Sequence, residues 1–165
     1  MIENVFAGAF FALCIYAALK DVATLTIPNW LNASLALMFV PAAVFIMPGW
    51  DIIGWHVLAA AITFAVCVGL FMLGVFGGGD AKLIPAVMLW IGASDLTTFF
   101  MWMTMSGAVL AIIVYFSRRV IAAEGAPAFA YETLQKGNGV PYGVAIIIGA
   151  IAASPSSPFL ANFLS

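Results

Sequence analysis

Asp21 and Asp80 are the acidic residues of this chain whose positions most need an explanation, because each closes an apolar run, 4–19 for Asp21 and 52–76 for Asp80. A carboxylate near hydrocarbon costs roughly 2.5–3.5 kcal/mol at the centre of a span and less toward its end, so such a residue usually faces the interior of a helix bundle and carries function. Two carboxyl groups held about 3 Å apart cannot both ionise, and they share one proton. The charged member can then take a proton from a bound water while the neutral member hydrogen-bonds a peptide carbonyl. That chemistry hydrolyses a peptide bond without a metal, a thiol or a serine nucleophile. Binding of protons or ions in a transporter or assembly subunit would use the same two groups. From position alone, two solvated helix ends are the simplest account.

The elements that must carry these residues are apolar throughout. The 165 residues are 65% hydrophobic and 7% charged, against about 45–50% and 25% in soluble domains. The mean hydropathy is +1.18. A water-soluble fold of this size would expose large apolar patches, so lipid is the expected solvent. A net charge of −2 is too small to suggest a nucleic-acid partner. Six apolar runs, 4–19, 30–47, 52–76, 83–93, 97–116 and 140–153, predict an all-α polytopic membrane protein with six transmembrane helices in one domain over 1–165. The fourth run is short, and charge bias tests whether it crosses. With the N-terminus outside, the cytoplasmic segments are 20–29, 77–82 and 117–139. They hold all five basic residues, Lys20, Lys82, Arg118, Arg119 and Lys136, as basic residues favour short cytoplasmic loops. The outer segments hold Glu3, Asp51 and Asp95 and no base. A five-span chain would put Arg118, Arg119 and Lys136 outside, so six spans, N-out and C-out, are expected, with Asp21 and Asp80 at the cytoplasmic face. The first four residues lack the basic stretch of a secretory signal, so the first run is read as a retained span.

Local context strengthens both aspartates. Gly77-Gly78-Gly79 before Asp80 removes side chains and helix propensity together, so a substrate backbone could approach closely; a flexible turn between helices is the plainer reading. Pro28 forces the chain out of helix before the second span, and Asn29 is placed to N-cap that span. Glu124 and Glu132 share the third cytoplasmic segment with basic residues. Its 120–135 stretch reads as a surface helix interrupted at Gly125 and Pro127.

Asp21 with Ile27-Pro28-Asn29, then Gly77-Gly78-Gly79-Asp80-Ala81-Lys82-Leu83, then Val140-Pro141-Tyr142-Gly143, resemble in type and order the type IV prepilin peptidases, the bacterial GxGD aspartic proteases. With the spans between them, the three segments extend over nearly the whole chain. The resemblance implies Asp21 and Asp80 as a catalytic dyad, supported by Gly77, Gly78, Gly79, Lys82, Pro28, Asn29, Pro141, Tyr142 and Gly143, with no metal and no cofactor. It also implies a bacterial inner-membrane enzyme that acts on a prepilin or pseudopilin, a small protein with a short basic leader ahead of an apolar helix. Family members remove that leader at the cytoplasmic face, commonly after a glycine. Larger members carry, between the first two spans, an extra region with paired cysteines and an N-methylating activity. Here about eight residues separate Asp21 from Trp30, which implies cleavage without methylation and most resembles the compact peptidases of Flp (tight-adherence) pili. GxGD also occurs in the presenilin and signal-peptide-peptidase group, but their Pro-Ala-Leu segment is replaced here by Pro-Tyr-Gly.

The remaining polar and small residues have plain readings. Lys82 is a snorkelling anchor or a group that biases the dyad or steers substrate. Cys14 and Cys67 sit in apolar runs without a CxxC spacing and read as packing residues. His56, without a second histidine, reads as an interfacial polar residue. Trp50 and Trp55 suit an aromatic belt, with Trp30 and Trp102 as further belt or packing residues. Gly69 and Gly74 are candidates for close helix packing.

Overall fold

The computed structural model describes residues 2–121, 125–135 and 137–161; the expectations placed on Glu124 and Lys136 lie outside them. Seven helices make up the described fold: α1 (Ile2–Thr24), α2 (Asn29–Ile46), α3 (Trp50–Met72), α4 (Asp80–Ile91), α5 (Leu96–Val120), α6 (Tyr131–Leu134) and α7 (Tyr142–Ala153). No strand occurs among the described residues. Among the described residues four helical stretches are long and apolar enough to cross a membrane: Glu3–Thr24, Asn29–Ile46, Trp50–Met72 and Leu96–Val120. The other two predicted spans become α4 and α7, of 12 residues each. At 1.5 Å per residue they rise about 18 Å, against a hydrocarbon thickness of about 30 Å.

Their shortness goes with a central position. In α4 every residue except Asp80, Lys82 and Leu89 is buried, as a helix apolar all round must be when protein rather than lipid surrounds it. It packs against α3, α2 and α7 and touches α5. Trp90 closes the middle of the core: its indole N–H donates to the Leu35 carbonyl at 3.0 Å, and its ring lies 5.2 Å from Phe10 and 5.8 Å from Phe39. α7 packs on α5, α1 and α4. Cys14 and Cys67 are buried free thiols.

Helix α1 shows how the interior is chosen. Ala7, Phe10, Cys14, Ala17 and Asp21 are all buried. Their spacing of three and four residues puts them on one stripe of the helix. Asp21 therefore continues the core face of α1 by one more turn. The helix runs five residues past the end of the apolar run and stops with Leu25, which adopts the left-handed conformation (φ 49°) and donates its N–H to the Asp21 carbonyl at 2.8 Å. This is an αL C-terminal cap, usually a glycine's position.

Two smaller expectations change, for His56 and for the 120–135 stretch, while the exposed tryptophans suit the belt expected of them. His56 is buried rather than interfacial. Its Nδ1 lies 2.8 Å from the Leu89 carbonyl, which can only accept, so Nδ1 carries the hydrogen. The ring fits against Phe159, Phe39 and Gly92, where an added Cβ would meet Nε2 at 2.6 Å. Trp30, Trp50, Trp55 and Trp102 all lie on the exposed surface. In the 120–135 stretch no long surface helix forms among the described residues: α5 ends at Val120, and a 3₁₀ turn at Ala128–Ala130 leads into the four-residue α6.

The glycines of close packing are also different ones. Gly69 and Gly74 face open space, whereas a Cβ on Gly149 would stand 2.7 Å from the Phe99 carbonyl oxygen and one on Gly107 would stand 2.9 Å from the Tyr142 ring. Small residues thus bring α5 and α7 together. Because the Gly149 clash is with backbone, Gly149→Ala is expected to lower stability by about 1–3 kcal/mol, measured as the unfolding midpoint in detergent. An unchanged midpoint would show that α5 and α7 separate freely.

Candidate active site

Asp21 and Asp80 line the same cavity at one end of the bundle. Asp21, in the last turn of α1, and Asp80, the first residue of α4, line a single cavity of about 250 Å³ with Leu25, Thr26, Ile27, Gly77, Gly78 and Gly79. At about 30 Å³ per liquid water, the space admits several waters or a short stretch of extended backbone. Asp21 is 5% exposed, so what reaches it does so through this cavity.

The Asp21 carboxyl group is held from a helix distant in sequence. The Gly143 N–H donates to Oδ2 at 2.7 Å, across 122 residues. Gly143 lies in the first turn of α7, where amides have no intrahelical acceptor, so Asp21 caps α7 as α7 orients Asp21. Asp21 Oδ1 takes no hydrogen bond from the described residues. Glycine at 143 is needed for this approach, since a Cβ there would lie 3.0 Å from Asp21 Oδ2 and 3.1 Å from its Cβ. Pro141 precedes the helix, and the Tyr142 ring packs over Gly107 and 6.4 Å from Phe76, beside the glycine turn. The third sequence segment is therefore part of the Asp21 environment.

The glycines before Asp80 serve packing more than unusual backbone angles, for none of the three has positive φ. Gly79 is already helical (φ −69°, ψ −51°). A Cβ on it would meet Ile27 Cβ at 3.1 Å and Ile27 N at 3.3 Å, and one on Gly77 would meet Asp80 Oδ2 at 3.2 Å. The glycine turn thus seats on the Ile27 segment, and Pro28 (φ −63°, ψ 141°) sets the extended entry to α2.

Asn29 does not N-cap α2. Pro28 occupies that position without a side-chain cap, because the Asn29 side chain is engaged elsewhere: Oδ1 accepts from Lys82 Nζ at 2.8 Å. Two residues singled out separately in the sequence form one link between α2 and α4 at the rim of the site. Pro28, Asn29, Lys82, Pro141, Tyr142 and Gly143 do not line the cavity itself; they frame it. Sequence reasoning missed Leu25 and Thr26 as lining residues, and it missed Thr133, whose hydroxyl donates to the Val22 carbonyl at 2.6 Å. Among the described residues no cluster of three or more His, Cys, Asp or Glu side chains forms.

A sequence model of the type IV leader peptidase family matches residues 8–112, a stretch that includes both aspartates and ends before Pro141. No curated protein and no solved structure matches the chain.

Proposed function

The chain belongs to the type IV leader peptidase family, and from that premise we propose that it is an aspartic endopeptidase that removes the leader of a prepilin or pseudopilin without methylating the product. The observation that carries the reading is that Asp21 and Asp80 share one cavity with the glycine turn. One carboxylate takes a proton from water, and the resulting hydroxide attacks the scissile carbonyl carbon. The protonated partner donates to the carbonyl oxygen as the tetrahedral intermediate forms. Collapse breaks the C–N bond, and the amine leaves with a proton returned by the pair. The Gly143 N–H keeps Asp21 aimed throughout, and the bare glycine backbone at 77–79 leaves room for an extended substrate segment.

We place the site at the cytoplasmic face of the bacterial inner membrane. Lys82 and Arg118 bond to groups around the same end of the bundle as the dyad, which is where a positive-inside bias would gather them. On this reading α4 and α7 complete a six-span, N-out and C-out arrangement around the four long helices.

Absence of methylation is supported by the link between α1 and α2. Only residues 25–28 join Thr24 to Asn29, with no room for a second catalytic region, and this compactness suits a peptidase of the Flp type. Incubation of the purified protein with a prepilin is expected to yield a mature product of unmodified N-terminal mass, with or without a methyl donor. Uncut substrate would sink the peptidase reading, whereas a cut product heavier by roughly 14 Da, one CH₂, would sink only the claim that the chain does not methylate.

A further inference from the structure

We infer that Arg118 and Thr133 are positioning residues for Asp21, acting through a ring of hydrogen bonds closed by the short backbone links from Val22 to Asp21 and from Gly139 to Gly143; the inference rests on the peptidase reading. Arg118, in the last turn of α5, donates from Nε and Nη2 to the Thr133 carbonyl at 2.9 and 2.7 Å, and from Nη2 to the Gly139 carbonyl at 2.7 Å. The Thr133 hydroxyl donates in turn to the Val22 carbonyl, next in the chain to Asp21. Gly139 stands four residues before Gly143, whose N–H holds the Asp21 carboxyl group. One guanidinium therefore ties together the segment that grips the backbone beside Asp21 and the segment that orients its side chain.

The chemistry at each corner is specific. Val22 lies in the last turn of α1, where carbonyls lack intrahelical donors, and Thr133 is buried, so its hydroxyl meets that need where water has little access. A guanidinium presents several donors in a planar fork and can serve two carbonyls at once, which the single ammonium of lysine does poorly. Among the described residues Arg118 makes all its hydrogen bonds to carbonyls and none to a carboxylate. The neighbouring Arg119 points elsewhere, stacked over the Tyr115 ring at 4.5 Å. Only one of the two adjacent arginines belongs to the ring, which separates its bonding from its contribution to loop charge.

Cleavage kinetics and amide exchange over 139–144 test this in the full chain, reconstituted in lipid nanodiscs. Thr133→Val and Arg118→Lys are expected to lower kcat about 10- to 100-fold, the effect of a displacement of about 1 Å at a reacting group, with KM within about two-fold. The same variants should speed exchange of the Gly143 amide while the rest of the bundle stays protected. Thr133→Ser, which keeps the hydroxyl, should restore kcat to within about three-fold of the parent, and Arg119→Ala should match the parent. Parental kcat and exchange in Thr133→Val and Arg118→Lys would overturn the inference, as would loss of protection throughout the bundle. If the parent cuts no prepilin, the functional reading fails, and exchange at Gly143 still decides whether the ring holds that amide.

Discussion

Asp21→Asn and Asp80→Asn are each expected to lower leader cleavage by about 100- to 10,000-fold, the usual contribution of general acid–base groups, while the protein still inserts and folds. Asparagine has nearly the shape of aspartate, and at position 21 its amide oxygen can still accept the Gly143 N–H. What it lacks is an exchangeable proton of suitable acidity, so water is not activated and the scissile carbonyl is not protonated. Folding is spared because neither aspartate makes an ion pair among the described residues, and removing one of two neighbouring carboxyl groups relieves repulsion rather than creating it. The measurement is processing of a co-expressed prepilin, read beside the unfolding midpoint of each variant. Parental processing by either variant would eliminate the dyad. Proton or ion flux in proteoliposomes that depends on both aspartates, with no cleavage by the parent, would favour a transporter instead.

Gly143→Ala carries the second large effect, and it separates position from chemistry. In a helix interior alanine is favoured over glycine by up to about 1 kcal/mol, so local propensity alone predicts a neutral or stabilising change. The new methyl group would instead stand 3.0 Å from Asp21 Oδ2 and 3.1 Å from Asp21 Cβ. Relief requires α7 to retreat from α1 or the carboxyl group to turn, and either motion loosens the 2.7 Å bond from the Gly143 amide. We expect kcat to fall about 10- to 100-fold, as for a displacement of about 1 Å at a reacting group, with both aspartates present and the fold retained. Gly79→Ala, which would press on Ile27, makes a useful comparison because it disturbs the glycine turn and leaves the Asp21 bond alone. Full activity in Gly143→Ala would mean that the Asp21 orientation does not depend on α7.

Much of this was legible in the residues themselves. Apolar runs of helix length predicted an all-α membrane protein, and four of them are helices long enough to cross. Asp21, the glycine turn with Asp80 and the Pro141-Tyr142-Gly143 segment could be recognised by type and order, and the family match over 8–112 agrees with the first two. These features are local: a run of apolar side chains, a proline that ends a helix and a row of glycines are each visible within a few residues.

What only the tertiary structure decided is which side of each helix faces inward, and the reason lies in the solvent. Lipid and protein interior are both apolar, so a span need not show a polar face, and its phase leaves little trace in the sequence. Nothing in the residues of α1 distinguishes buried Phe10 and Cys14 from exposed Ile15 and Leu19, yet that phase puts Asp21 on the core stripe. The same ambiguity hid the central place of α4, whose residues from Leu83 to Ile91 are all apolar with protein around them, and it drew attention to Gly69 rather than Gly149. The bonds that hold Asp21 reach across 122 residues to Gly143 and, one residue on at Val22, across 111 to Thr133, distances over which local pattern carries no information. Residue types thus determined that two carboxyl groups end apolar helices beside a glycine turn. Packing alone brought them to one cavity and set the α7 amide against Asp21.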